Sequence, residues 1–292
     1  MADIYLGSTN LSSADFYLGS STVSALYKGS DKVWPAAPAA GFDPTLGGTL
    51  TLGFWHDFTD TNYLTLNGSE VTAVTDKTGN GFNLVKYTAT GPTYVSSTAG
   101  TYWNGSNLLY DNSGNPLPSA INNKTHQTVI IIFNTPAITT TTQRVTLATN
   151  NYGADWQYLA LKASTTWQTT YNACLGSGPN YAYFHFYNNS GGDPAVAQSA
   201  IQPGVEYMFS SKMVWTGTNS FNMYASVNNC PWGTPKAATQ KDQTRPPDFY
   251  IGARGSGLVE SYTGNIKHLF AYEADLTDQN IADIYADYIA NP

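Results

Sequence analysis

From Thr49 to the end, the chain is a succession of short β-rich runs divided by Gly, Asn and Pro. That pattern constrains the fold more than any other feature. Candidate strands are Thr49–Phe54, Thr128–Asn134, Arg144–Ala148, Tyr158–Lys162, Tyr181–Tyr187, Tyr207–Val214, Phe221–Val227, Phe249–Ile251 and Ile266–Tyr272. Strands of this length with turns between them, spread over one large domain, predict a two-sheet sandwich. The apolar run Val129–Phe133 is too short to cross a bilayer and reads as a buried strand. The spacing predicts one helix. Thr277 is its N-cap and Asp278 suits the first turn. Ile281, Ile284, Tyr285, Tyr288 and Ile289 form a single apolar stripe, a surface for docking on the sandwich.

Upstream, residues 1–34 hold a repeat. Its copies are Ile4–Leu11, Phe16–Val23 and Leu26–Val33, each with a central Gly-Ser pair between two β-rich runs. Gly-Ser at that place predicts a two-residue hairpin turn. Folding about it sets Ile4 opposite Leu11, Phe16 opposite Val23 and Leu26 opposite Val33. Three small hairpins cannot bury a core of their own, so copies of the chain, a partner protein or the main domain must complete them. The candidate anchoring residues are Tyr5, Leu6, Phe16, Tyr17, Leu18, Leu26, Tyr27, Val33 and Trp34. Residues 35–48 are rich in Pro, Ala and Gly and are expected to be a linker, leaving 49–292 as the sandwich domain. The competing reading places the repeats as extra strands on the sandwich.

Composition narrows the partners. Charged residues make up 11% of the chain, against about 25% in an average soluble protein. Tyr contributes 21 residues and Trp 7, beside abundant Thr, Ser, Asn and Gly. Such a surface suits neutral polar partners, glycans or other subunits, though it is also ordinary for β-proteins. The net charge of −7 and the absence of a Lys/Arg run argue against nucleic acid. The Met1–Tyr5 start has no secretory signal, which points to an intracellular protein or to release by lysis within a virus. Cys174 and Cys230 lie far apart, outside any C-x-x-C motif, and are expected to be reduced thiols.

Several segments of the main domain resemble the concanavalin A-like lectin/glucanase superfamily in its laminin-G-like versions. Phe54-Trp55-His56-Asp57 with Leu64–Val71 resembles the opening strand and hairpin. Asp76-Lys77-Thr78-Gly79-Asn80-Gly81 is similar to the family's D-x-S-G-N-G turn. Tyr250–Ala253, Tyr262–Ile266 and the Leu276-Thr277-Asp278 helix start are similar to its closing strands and tail. The resemblance spans about 240 residues and implies an all-β jelly-roll sandwich with a C-terminal helix. The hairpin repeats resemble N-terminal segments of phage tail- and head-associated proteins. That implies a fibre-type structural protein of a tailed-phage virion. By analogy with phage fibres it would be a homotrimer bound to other virion proteins, and it would attach to host-surface glycans. The alternatives are a capsid decoration protein without a specific ligand and a glycan depolymerase.

The candidate sites follow. Retaining glucanases of the superfamily carry E-x-D-x-x-E, and its two catalytic carboxyls must stand close together. Here the nearest string is Glu273-Ala274-Asp275-Leu276-Thr277-Asp278. Its third acid is Asp and falls in the helix, so it is expected to be a solvated turn and no catalytic residue is assigned. His56 and Asp57, as strand neighbours, should face opposite sides. Trp103, Asn104, Trp156 and Trp232 are candidate glycan contacts, an aromatic beside amides supplying both stacking and hydrogen bonds, the alternative being core packing or a subunit interface. Asp57, Asp60 and Asn62 are candidate Ca²⁺ ligands, the alternative being turns closed by side-chain hydrogen bonds.

Overall fold

In a computed structural model, residues 41–96, 100–111, 126–134, 201–217, 220–239, 249–253 and 261–291 are described in full. For the strands between 17 and 34 and between 144 and 200, the backbone alone is described, Leu161 excepted.

Two hairpins precede the domain. β1 (Tyr17–Leu18) pairs with β2 (Ser21–Thr22), and β3 (Leu26–Lys28) with β4 (Asp31–Trp34). In both, the paired strands flank a Gly-Ser pair, as the repeat predicts. The second departs in register: an irregularity after Leu26 sets it opposite Trp34 rather than Val33. The first repeat copy, with Tyr5 and Leu6, and Phe16 lie outside the described residues.

The domain opens with β5 (Leu52–Asp57), β6 (Leu64–Asn67), β7 (Glu70–Val74), β8 (Leu84–Lys86), β9 (Thr93–Val95), β10 (Gly100–Asn104), β11 (Leu109–Asp111) and β12 (Gln127–Asn134). It continues with β13 (Arg144–Tyr152), β14 (Asp155–Lys162), β15 (Tyr171–Asn172), β16 (Asn180–Tyr187), β17 (Ala195–Ile201) and β18 (Glu206–Gly217). β19 (Ser220–Val227), β20 (Lys236–Thr239), β21 (Asp248–Ile251), β22 (Thr263–Tyr272) and helix α1 (Asp278–Ala290) complete it. Pairing is antiparallel except for β15 with β17.

One layer runs β5–β22–β12–β18–β19–β20, with β10 also on β22. The other runs β6–β7–β8–β11–β21–β13–β14–β16–β17. Between them Ile131, Phe133, Phe209 and Phe221 meet Val71, Leu84, Leu109, Phe249 and Ile251. This is the β-sandwich with a C-terminal helix that the strand pattern predicts.

Where α1 covers it, the first layer is buried on both faces, which explains why β12 is a continuous apolar run rather than an alternating one. Ile131 and Phe133 face the inter-sheet core. Ile130 and Ile132 face the other way, where they join Trp55, Met208, Phe270 and Tyr272 beneath Ile281, Ile284 and Tyr288 of α1. The helix starts as expected: Thr277 Oγ1 accepts from the Asn280 backbone N–H and the Asn280 side chain returns the bond. Ile289 departs from the predicted stripe, being 59% exposed.

The expected linker needs correction over its second half. Phe42 is buried against Trp55, Phe270 and Tyr288. The Asp43 N–H donates to Asp287 Oδ2 at 2.8 Å, and the Tyr272 hydroxyl donates to the Pro44 carbonyl at 2.7 Å. The domain therefore begins by Phe42, because that residue fills the gap at the end of α1. Cys230 is disulfide-bonded, which corrects its expected thiol form. Cys174, the one other cysteine of the sequence, lies outside the described residues.

Candidate functional site

The strand β10 carries two of the residues singled out from the sequence, and it decides between them by alternation. Trp103 points inward and is fully buried. Its ring meets Phe58 edge-on at 5.3 Å and lies against Gly252. A Cβ on Gly252 would stand 2.4 Å from the indole, and its φ of +100° is one that L side chains rarely adopt. Trp103 is thus a core residue and offers no face to a sugar, correcting its assignment as a glycan contact. The residue before it faces out: Tyr102 is 36% exposed. Residues one apart on a strand lie on opposite faces, so the outward aromatic of this segment is Tyr102 and not Trp103.

Tyr102 stands in a row of directly opposed residues. Glu70 (β7) pairs with Thr93 (β9), Thr93 with Tyr102 (β10), Tyr102 with Asn265 (β22), Asn265 with Asn134 (β12), and Asn134 with Glu206 (β18). Asn104, opposite Thr263, lies two positions along on the same face. Thr93 and Asn104 are exposed, and Asn265 and Asn134 are half-buried.

The backbone beneath the row is fixed from inside. The buried Tyr262 hydroxyl reaches the carbonyl oxygens of Asn134 at 2.8 Å and Asn265 at 3.1 Å. Gly264, at φ +142°, makes room for it, since a Cβ there would meet that hydroxyl at 2.4 Å. Asn134 Nδ2 donates to the Gly204 carbonyl at 3.0 Å, which orients its amide. Asn265 Oδ1 has no hydrogen-bond partner among the described residues. Asn104 Oδ1 accepts from the Ser106 N–H at 2.9 Å.

Both ends of the row are ion pairs. Glu70 meets Lys86 at 2.8 Å, and the Lys86 and Gly91 bonds hold its carboxyl below the usual range. Glu206 meets Lys267 at 3.0 Å and accepts from the Tyr288 hydroxyl. Burial and that carboxylate together raise the Tyr288 phenol well above its ordinary range.

The other two tryptophans divide. Trp232 is half-buried; its Nε1 donates to the Leu276 carbonyl at 2.8 Å and its N–H to Asp278 Oδ1 at 2.7 Å. The Lys212 ammonium sits 4.6 Å from its ring centre. Trp232 therefore clamps the start of α1, which corrects its reading as a glycan contact. Trp156 lies within β14, opposite Asn151 and Tyr187. A separate aromatic group lies on the second layer, where Tyr87, 47% exposed, stands edge-on to Tyr110 at 5.1 Å and to Tyr250 at 6.2 Å.

The proposed Ca²⁺ ligands are engaged otherwise. Asp57 Oδ1 accepts from the Thr59 N–H and hydroxyl, and Asp60 Oδ1 from the Asn62 N–H and Nδ2. The Lys77 ammonium lies 2.7 Å from Asp57 and 3.4 Å from Asp60. A lysine thus occupies the place of the cation, and side-chain turns replace the metal site. Among the described residues no group of three or more His, Cys, Asp or Glu could hold a metal. Asp76 closes the similar turn downstream, its Oδ1 accepting from the Trp55 and Thr78 N–H groups at 3.0 Å.

Glu273 and Asp275 sit on the strand-to-helix turn and Asp278 opens α1, as expected. Asp275 pairs with Lys212 at 2.6 Å, and Asp278 with Trp232 as described above. His56 and Asp57 face opposite sides. His56 lies in the core, its Nε2 donating to the Phe82 carbonyl at 2.7 Å, and burial lowers its pKa to about 4. His268, under α1 and 3.4 Å from Asp57, is likewise lowered by burial to about 4, against the pull of the carboxylate. Burial opposes ionisation of Asp57, but His268, Lys77 and Thr59 outweigh it and keep its pKa low.

The fold is a jelly-roll β-sandwich with one C-terminal helix. It is similar to domain 4 of AbnA, a GH43 extracellular arabinanase from Geobacillus stearothermophilus, in complex with arabinotriose. The TM-score is 0.51 at 15% identity, over 80% of this chain and 98% of that one. It is also similar to a structure described as a receptor binding domain, with TM-score 0.50 at 9% identity, over 77% of this chain and 50% of that one. No protein-family model matches the sequence, and no curated protein matches it. At these identities the likeness defines the fold alone.

Proposed function

We propose that the chain is a non-enzymatic, fibre-type structural protein of a tailed-phage virion, attaching to host-surface glycans through the row centred on Tyr102. The observation that carries the attachment role is that row: an exposed aromatic ring flanked by amides and hydroxyls on a rigid sheet. An aromatic face stacks on the apolar side of a sugar ring while neighbouring amides bond its hydroxyls. The fold supports this reading, since its similar arabinanase domain was obtained with an arabinotriose. The virion role is supported by the Gly-Ser hairpins and their resemblance to phage proteins. In this reading the hairpins dock on other virion proteins, three copies assemble, and linked weak sites gain avidity.

Purified protein should block phage adsorption to susceptible cells in a saturable way, and Tyr102→Ala should abolish the block. Deleting residues 1–34 should leave a folded sandwich that is no longer incorporated into particles. A truncated protein still present on virions would contradict the division of labour. The buried Trp103 and the clamp formed by Trp232 favour a second reading, a capsid decoration protein built for stability. Unchanged adsorption with less stable particles on deleting the gene would select it.

A further inference from the structure

We infer that the ligand of the Tyr102 row is a neutral glycan chain lying across the strands; this rests on the attachment reading above. Two features carry it, charge and spacing.

The middle of the row, Thr93, Tyr102, Asn265 and Asn134, has no ionisable group except the phenol. The acids at its ends, Glu70 and Glu206, are each neutralised by a lysine of their own. An anionic sugar would find no free cation here and would lie beside two carboxylates. A cationic one would compete with Lys86 and Lys267 for acids already engaged. A neutral chain meets only amides, a hydroxyl and a ring.

The spacing sets the direction. Each residue of the row sits on a different strand, and neighbouring strands lie about 4.8 Å apart, so Thr93 to Asn134 spans roughly 14 Å. That interval per strand is close to the advance of one sugar ring along an extended glycan. A chain laid perpendicular to the strands therefore presents successive rings to successive row residues, about three rings in all. A chain laid along a strand would meet Tyr102 and Asn104 alone.

The test uses envelope polysaccharide from susceptible cells, split by anion exchange into neutral and acidic fractions, each partly hydrolysed and sized. Binding of the full chain is measured by calorimetry. Neutral fragments should bind, more tightly with each added ring up to about three or four rings and with little further gain. Affinity should change little with salt, since no ion pair forms. Tyr102→Ala should weaken it at least tenfold, about 1.4 kcal/mol, with an unchanged melting temperature, and Tyr102→Phe should keep most of it.

Binding of the acidic fraction alone would overturn the inference while leaving glycan attachment standing. Neutral binding already saturated at a single sugar would overturn the orientation. Neutral binding indifferent to Tyr102→Ala would move the site elsewhere. If neither fraction binds while the protein still blocks adsorption, the receptor is not a glycan, and both readings fall.

Discussion

The strands β22, β12 and β18 run beneath α1 at one end and leave its cover at the other, and their outward face changes chemistry between the two. Under the helix it carries Phe270, Ile130, Ile132 and Met208, all buried. Beyond it the same face carries Asn265 and Asn134, half-exposed, with Glu206 at the boundary, bonded to Tyr288 of α1. A bulge between Ile132 and Phe133, opposite the step from His268 to Ile266, falls at the change. The inner face does not change: Ile266, Phe133 and Tyr207 still fill the core. The helix has 13 residues and so covers about 20 Å. An apolar face needs a cover and a polar one does not. The same sheet is thus a docking surface for its own helix at one end and an open polar surface at the other.

Substitutions at the two ends should differ accordingly. The largest effect is expected under the helix. Phe270→Ala removes a fully buried ring and should cost about 3–5 kcal/mol in chemical denaturation. A cost near zero would mean that the helix is not a structural cover.

Acid should act at the covered end next. His268 is held neutral by burial, with a folded pKa of about 4 against an ordinary 6.5. As pH falls below 6.5 the unfolded chain takes up protons that the folded chain refuses. Stability is therefore full above about 6.5 and declines toward pH 4, by on the order of 3 kcal/mol for this histidine. Replacing His268 by Gln should flatten that slope in a pH series of melts, leaving the part due to His56. An unchanged slope would place the titration elsewhere.

Smaller effects should follow at the margins. Thr277→Ala, which removes the helix cap, is expected to cost about 1 kcal/mol. At the open end, Asn104→Ala should stay within about 0.5 kcal/mol of the parent. A larger loss there would show that the polar end is structural too. Adding Ca²⁺ or a chelator should leave the melting temperature unmoved, because Lys77 already neutralises Asp57 and Asp60. A rise with Ca²⁺ would revive the metal site.

How far the sequence could be read depended on what each residue was being asked. The sandwich and the helix were legible because alternation, turn residues and the Thr277 cap are local signals. The strands β8, β9 and β11 were not, since each spans three residues and has no periodicity to read. The linker boundary was misplaced because Pro and Ala near Phe42 hide a ring that packs on Phe270 and Tyr288, more than 200 positions away. At the candidate site, the sequence shows that the Tyr102–Asn104 segment sets aromatics beside an amide. Which of its aromatics faces outward depends on the strand's phase, and Gly252, which seats Trp103, is distant in sequence. Asn134 and Asn265 could not be found beforehand, because strand register alone brings them beside Tyr102. The Asp57 cluster looked like a metal site until Lys77 was placed in it by folding.

The most direct measurement is amide hydrogen–deuterium exchange of the full chain, with and without envelope polysaccharide from susceptible cells. Protection confined to residues around Thr93, Tyr102, Asn134 and Asn265, with none added in α1, is the predicted result. Protection confined to α1 or to the second layer around Tyr87 and Tyr250 would contradict the account, as would a bound polysaccharide that protects no part of the row.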